Sequence, residues 1–196
     1  MTKVFSALQA DTESATLTSP LLAVSDVSNM AEAALTRALD SVARRMGLDN
    51  SQAVAVLLQQ GHRSAWSDFH YDLASHVAEQ LGALDEGVKA AYVDEYDFAP
   101  EDYFFGETAR TTVIYVIVWV QRKTGAFKSL VAALDRALVQ CYADLIGTPR
   151  LTHLLEVQLI DDADARNPVG YGAWLFSDHF PLTEIWRREG ADLERR

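Results

Sequence analysis

Ten consecutive residues, Thr111 to Val120, are each β-branched, aliphatic or aromatic. Apolar side chains therefore point to both faces of the pleat, where a half-covered strand would alternate apolar with polar. A strand of this kind lies inside a sheet and needs cover on both sides. Lys123-Thr-Gly125 then makes a turn. Phe127, Leu130, Val131, Leu134, Leu138, Cys141 and Leu145 recur at helical period and predict a helix over 126–146, closed by Gly147 and Pro149. His153 to Ile160 reads as a second strand, so the β-α-β order predicts a crossover and parallel pairing of the first two strands. Val169 to Phe176 reads as a third strand. The segment Asp161–Pro168 is short enough to return it antiparallel. Pro181 starts a final helix in which Leu182, Ile185 and Trp186 dock.

The N-terminal half has a different pattern. Residues 1–27 are rich in Ser and Thr and interrupted by Pro20, which reads as a partly ordered arm; Pro20 to Val24 can add an edge strand. Asn29 and Glu32 have capping-box spacing, and Leu35, Leu39, Val42 and Met46 repeat at helical period up to Gly47. Asp49 with Gln52 opens a second helix, which carries Val54, Leu57 and Leu58 and ends at Gly61. Trp66, Phe69, Leu73, Val77 and Leu81 form one stripe on a third helix over 64–81, stopped by Gly82. A fourth helix over 85–96 would carry Val88, Tyr92 and Tyr96. The expected class is α+β: a helical N-terminal half packed with a small mixed sheet that contains a β-α-β unit and a following antiparallel strand. The arm 1–27 precedes a single domain, 28–196, helical over 28–107 and β-α-β-β-α over 108–196. Helix 126–146 should cover one sheet face. The N-terminal helices, or a second subunit in a homodimer, should cover the other.

Charge narrows the partners. Asp and Glu outnumber Lys and Arg by 28 to 17, for a net charge of −11. Nucleic acid and anionic membrane call for clustered cations, and the basic residues here are scattered, so neither is an expected partner. One cysteine, Cys141, precludes an intrachain disulfide framework. The first residues lack the apolar core of a signal peptide, and no apolar run approaches the roughly 20 residues of a membrane span. The expectation is a soluble cytoplasmic protein.

Several groups can carry chemistry. At 100° per residue, Asp68, Asp72, His76 and Glu79 fall within about 80° on the third helix, an arrangement able to offer ligands to a divalent metal. The competing reading is the solvent face of an amphipathic helix. His70 falls on the apolar side, as would His62 on an N-terminal extension; a buried imidazole serves as ligand or base, or bonds the backbone. The segment 94–107 sets Asp94, Glu95, Asp97, Glu101, Asp102 and Glu107 among Tyr96, Phe98, Tyr103, Phe104 and Phe105. Carboxylates beside aromatic rings recognise a cationic ligand or a basic partner surface, so Asp94, Tyr96, Asp97, Glu101, Asp102 and Tyr103 are candidate binding residues. The bland alternative is a connector with its rings in the core. Asp162 and Asp164 resemble the start of a calcium loop but lack its glycine and its final glutamate, and read as an acidic hairpin loop. Glu156-Val-Gln158 has Gln where a metal nuclease would have Lys, and reads as the polar face of a strand. Cys141 sits on an apolar stripe as a core residue. No P-loop, dinucleotide fingerprint or nucleophile elbow is present.

The segment Ser129-Leu-Val-Ala-Ala-Leu-Asp-Arg-Ala-Leu138, followed by a strand, resembles the helix–strand step in the regulatory domain of isopropylmalate and citramalate synthases. It departs from that domain at the entry, where Thr124-Gly-Ala-Phe127 replaces a glycine-rich segment, and no second repeat follows. The resemblance implies a small-ligand-sensing regulatory domain. Three functions result: a non-catalytic binding or interaction protein centred on 94–107, a metal-dependent hydrolase using Asp68, Asp72 and His76, and the ligand sensor.

Overall fold

The structure, a computed structural model, describes residues 24–94, 113–147, 151–166, 170–175 and 182–191. Helix α1 (Val24–Met46) packs on α3 (Arg63–Leu84) and α4 (Gly125–Ile146), with the short α2 (Ser51–Gln59) at their side. The sheet has the order β3-β2-β1-β4, formed by β1 (Val88–Asp94), β2 (Ile114–Val120), β3 (Leu155–Asp161) and β4 (Leu182–Arg187). β2 and β3 are parallel across α4; β1 is antiparallel to both β2 and β4. The class is α+β, with a helical N-terminal half and a mixed sheet.

Both sets of helices lie on one sheet face. A single buried cluster joins Leu35, Val42, Phe69, Leu73, Val77 and Leu81 to Leu134, Leu138 and Tyr142, and to Val93, Val116, Val118 and Leu155 on the sheet. The expectation that α4 and the N-terminal helices would cover opposite faces is thus corrected. The other face carries Ala90, Tyr92, Ile117, Trp119 and Ile160. Two short helices, α5 (Asp162–Arg166) and α6 (Tyr171–Trp174), cover part of it through Ala165, Trp174 and Leu175. β2 has the two-sided burial that its composition demands.

Four local expectations are corrected. Residues 88–94, expected in a helix, are strand β1. The segment from Pro181, also expected helical, gives strand β4 from Leu182. A shared cause is irregular register: the ladder shifts between Val88 and Ala90 against β2, and between Ala91 and Tyr92 against β4. Each bulge breaks the alternation by which a strand is read. The expected third strand, 169–176, contains α6 instead. Gly170 turns the chain with a φ of 56°, and a Cβ on Gly172 would meet the carbonyl of Asp164. The acidic hairpin loop is the helix α5. The expected strand over 20–24 and the arm over 1–27 fall largely outside the described residues, but 24–27 already form the start of α1.

Caps fix the remaining helix ends. Asn50, one residue after the expected Asp49, accepts from Ala53 N at 3.0 Å. Thr124 caps α4 by accepting from Phe127 N at 3.1 Å. α3 runs past Gly82 to Leu84 because that glycine is a packing site: a Cβ there would lie inside the Trp186 indole of β4.

Candidate functional site

The sheet face away from the long helices gathers the polar and aromatic groups with most chemical capacity. Its residues follow from the register. Tyr115, Ile117 and Trp119 alternate along β2; Glu156, Gln158 and Ile160 stand beside them on β3. Tyr92 pairs with Ile117 on one side and Glu184 on the other, and Ala90 with Trp119 and Arg187.

At one end the face is closed and charged. The Lys89 ammonium donates to both carboxylate oxygens of Asp162, at 2.6 and 2.7 Å. It also lies 4.7 Å from the centroid of the Trp119 ring, and Trp119 Nε1 donates to Asp162 Oδ1 at 3.0 Å. Lys123 pairs with Asp164, and this ammonium holds the Asp164 carboxyl below its ordinary range. The Arg187 guanidinium bridges Glu184 and the Tyr92 hydroxyl, with Nη2 to Oη 3.0 Å. Burial raises the pKa of Tyr92, so it stays a neutral phenol.

At the other end the face is more open. Tyr115 is 38% exposed although it lies in a central strand. Its β3 neighbour Glu156 is exposed and accepts from Gln158 Nε2 at 2.9 Å. Val93 pairs with Val116, so β1 ends beside Tyr115, and the chain leaves Asp94 there for the acidic aromatic segment. Asp94 is the last residue of β1. Tyr96, Asp97, Glu101, Asp102 and Tyr103 lie outside the described residues.

The metal candidates are placed as follows. Arg45 of α1 reaches across to α3 and bonds Asp68 at 2.9 Å and Asp72 at 2.6 Å. Those two carboxylates thus hold a guanidinium, whose pKa is raised first by the bond to Asp72. His76 is turned to Glu79, at 3.5 Å, which also receives Arg37 of α1. No three His, Cys, Asp or Glu side chains among the described residues are grouped so as to hold a metal ion. His62 caps α3, its Nδ1 accepting from Ala65 N. His70 is buried with its ring 4.8 Å from that of Trp66, its Nε2 has no hydrogen-bond partner among the described residues, and burial lowers its pKa to about 4. Cys141 is half-buried, and burial raises its thiol pKa.

One well-formed group lies outside the sequence candidates. Asp135 of α4 is buried; its Oδ1 accepts from Leu154 N and Leu155 N at 3.0 and 2.9 Å, and its Oδ2 lies 2.8 Å from His153 Nδ1. Its signal was available. On a helical wheel Asp135 falls among Val131, Leu138 and Tyr142, inside the apolar stripe, and a carboxylate there needs partners. No helix among the described residues is long and apolar enough to cross a membrane. No protein-family model, no curated protein and no solved structure matches the chain.

Proposed function

We propose that the protein is a non-catalytic binding protein that receives a basic partner at the Tyr115 end of the open sheet face. The observation that carries this reading is an exposed tyrosine in a central strand, beside an exposed glutamate, where the acidic aromatic segment joins the sheet. A phenol ring offers a partner apolar area and a polar tip, and carboxylates around it favour lysine and arginine over acidic competitors. The net charge of −11 steers such a partner toward the protein. The residues assigned to contact are Tyr115 and Glu156 on the sheet, with Asp94, Tyr96, Asp97, Glu101, Asp102 and Tyr103 on the connecting segment.

The test is titration calorimetry of a lysine- and arginine-rich peptide library pool, followed by the best single peptide. The variant Asp94→Asn, Asp97→Asn, Glu101→Gln, Asp102→Asn should bind about tenfold or more weakly with an unchanged thermal midpoint. Tyr115→Ala should weaken binding independently. Wild-type affinity in both variants would remove the proposal.

A further inference from the structure

We propose that Trp119 and Asp162 form a recognition site for a primary ammonium group, and that the protein's own Lys89 occupies it as an internal competitor. This concerns the opposite end of the sheet face and stands whether or not the Tyr115 end binds a partner. Trp119 lies four residue steps along β2 from Tyr115, about 13 Å.

The geometry is that of ammonium capture. An aromatic face and a carboxylate converge on one nitrogen: the Lys89 ammonium has the Trp119 ring on one side at 4.7 Å and both Asp162 oxygens at 2.6 and 2.7 Å. Ring and carboxylate are fixed to each other, because Trp119 Nε1 donates to Asp162 Oδ1. The pair therefore does not depend on lysine for its relative orientation. Trp119 is held by its strand and is 5% exposed, while Asp162 is placed by the start of α5 directly after β3. Such a preformed pair requires little reorganisation on binding.

Lys89 arrives there by a specific distortion. Val88 pairs with Val120 and Ala90 with Trp119, so β1 spends two residues where β2 spends one, and Lys89 is the extra residue. A bulge of this type re-aims a side chain, and here it sends a lysine onto the aromatic face. The contact is reachable from solvent, since the Lys89 and Asp162 side chains are 27% and 28% exposed. An exchange of one ammonium for another conserves charge and hydrogen bonds, so it needs no new buried charge. The ligand class is a primary ammonium on a slender aliphatic stem, supplied by a lysine side chain of a protein or by a polyamine.

The experiment follows the indole Nε1–H resonance of Trp119, assigned with Trp119→Phe, during titration with n-butylammonium chloride at constant ionic strength. In Lys89→Met, which keeps most of the aliphatic stem, the resonance should shift saturably, with an affinity about tenfold or more above wild type. In Lys89→Met/Asp162→Asn the saturable shift should vanish. Equal response of wild type and Lys89→Met would overturn the proposal and leave Lys89 a structural ion pair. The wild-type protein gives a second reading that needs no folded variant: excess n-butylammonium should move the Lys89 Nζ and Trp119 Nε1 signals together, while sodium chloride of equal strength should not. Identical effects of the two salts would overturn it equally. Trilysine and spermidine, titrated in turn, identify the source of the ammonium by which binds more tightly.

Discussion

Replacing Asp135 with alanine removes the acceptor that serves the Leu154 and Leu155 amides at the entry to β3. Leu154 N and Leu155 N both donate to Asp135 Oδ1 in a buried setting, while Leu154 O accepts from Ile114 N and starts the parallel ladder. A buried N–H left unpaired costs about 1–3 kcal/mol, so the two together cost about 2–6 kcal/mol. Asp135→Asn keeps a carbonyl oxygen for both amides and loses the charge and the oxygen that faces His153, at about 1 kcal/mol. His153→Ala removes the remaining partner, whose side chain is 68% exposed, so solvent screening holds the loss below about 1 kcal/mol. Urea unfolding followed by tryptophan fluorescence should rank the losses as Asp135→Ala, then Asp135→Asn, then His153→Ala, at constant m. A loss from Asp135→Ala no greater than that from His153→Ala would refute the reasoning: the amides would then have found other partners, and Asp135 would not pin the strand to α4.

Three other outcomes follow from buried or crowded groups. Burial lowers the His70 pKa from an unfolded value of 6.5 to about 4, so the unfolded chain binds more protons between these values. Stability contributed by neutral His70 is therefore lost as pH falls from about 6.5 to about 4, to a total of about 3 kcal/mol, and His70→Phe should flatten that part of the pH–stability curve; an unchanged slope would sink the assignment. Gly82→Ala should cost about 1–3 kcal/mol in urea unfolding, because the Trp186 indole occupies the space of the new methyl, and Trp186→Leu should recover part of it. Arg45→Met leaves the Asp72 side chain, only 8% exposed, without its cation; since Arg45 itself is 45% exposed, the expected loss is about 1–2 kcal/mol, reversed in part by adding Asp72→Asn.

What could be read in the sequence was what regular periodicity encodes. α3 and α4 show long stripes, and β2 shows two-sided hydrophobicity; all three are in place, as is the parallel pairing across α4. β1 and β4 were hidden because each bulge interrupts alternation, and Ala90-Ala91 fits helix propensity as well as it fills the crowded centre of a sheet. The Gly170-Tyr-Gly172 segment reads equally as a strand with close approach, and the close approach is real: a Cβ on Gly172 would meet the Asp164 carbonyl from within a helical turn. On α4 the apolar spacing runs through Cys141, while Tyr142 is the fully buried neighbour and Asp135 shares its side of the helix. The four acidic and imidazole side chains of α3 do share a face, but α1 supplies Arg37 and Arg45 against it, a pairing that no single-helix pattern contains. Lys89 and Asp162 are 73 residues apart, beyond the reach of local spacing.

The two ends of the open sheet face offer the same chemistry in two states. Trp119 stands beside Asp162, and Tyr115 beside Glu156, each an aromatic ring on β2 with a carboxylate from β3 or the residue after it. At the Trp119 end the ring and carboxylate hold an internal ammonium, and α5 and α6 pack over part of the face. At the Tyr115 end the ring is exposed, and Glu156 is bonded only to a neutral amide among the described residues. A central strand carries a cost for each exposed apolar ring, of order 25 cal/mol for each Å² left in water. The closed end demonstrates that this sheet can satisfy such a pair with a cation. Supplying that cation from outside is therefore the smallest addition that would complete the open end, and it is the reason a basic partner, rather than an apolar or acidic one, is proposed for it.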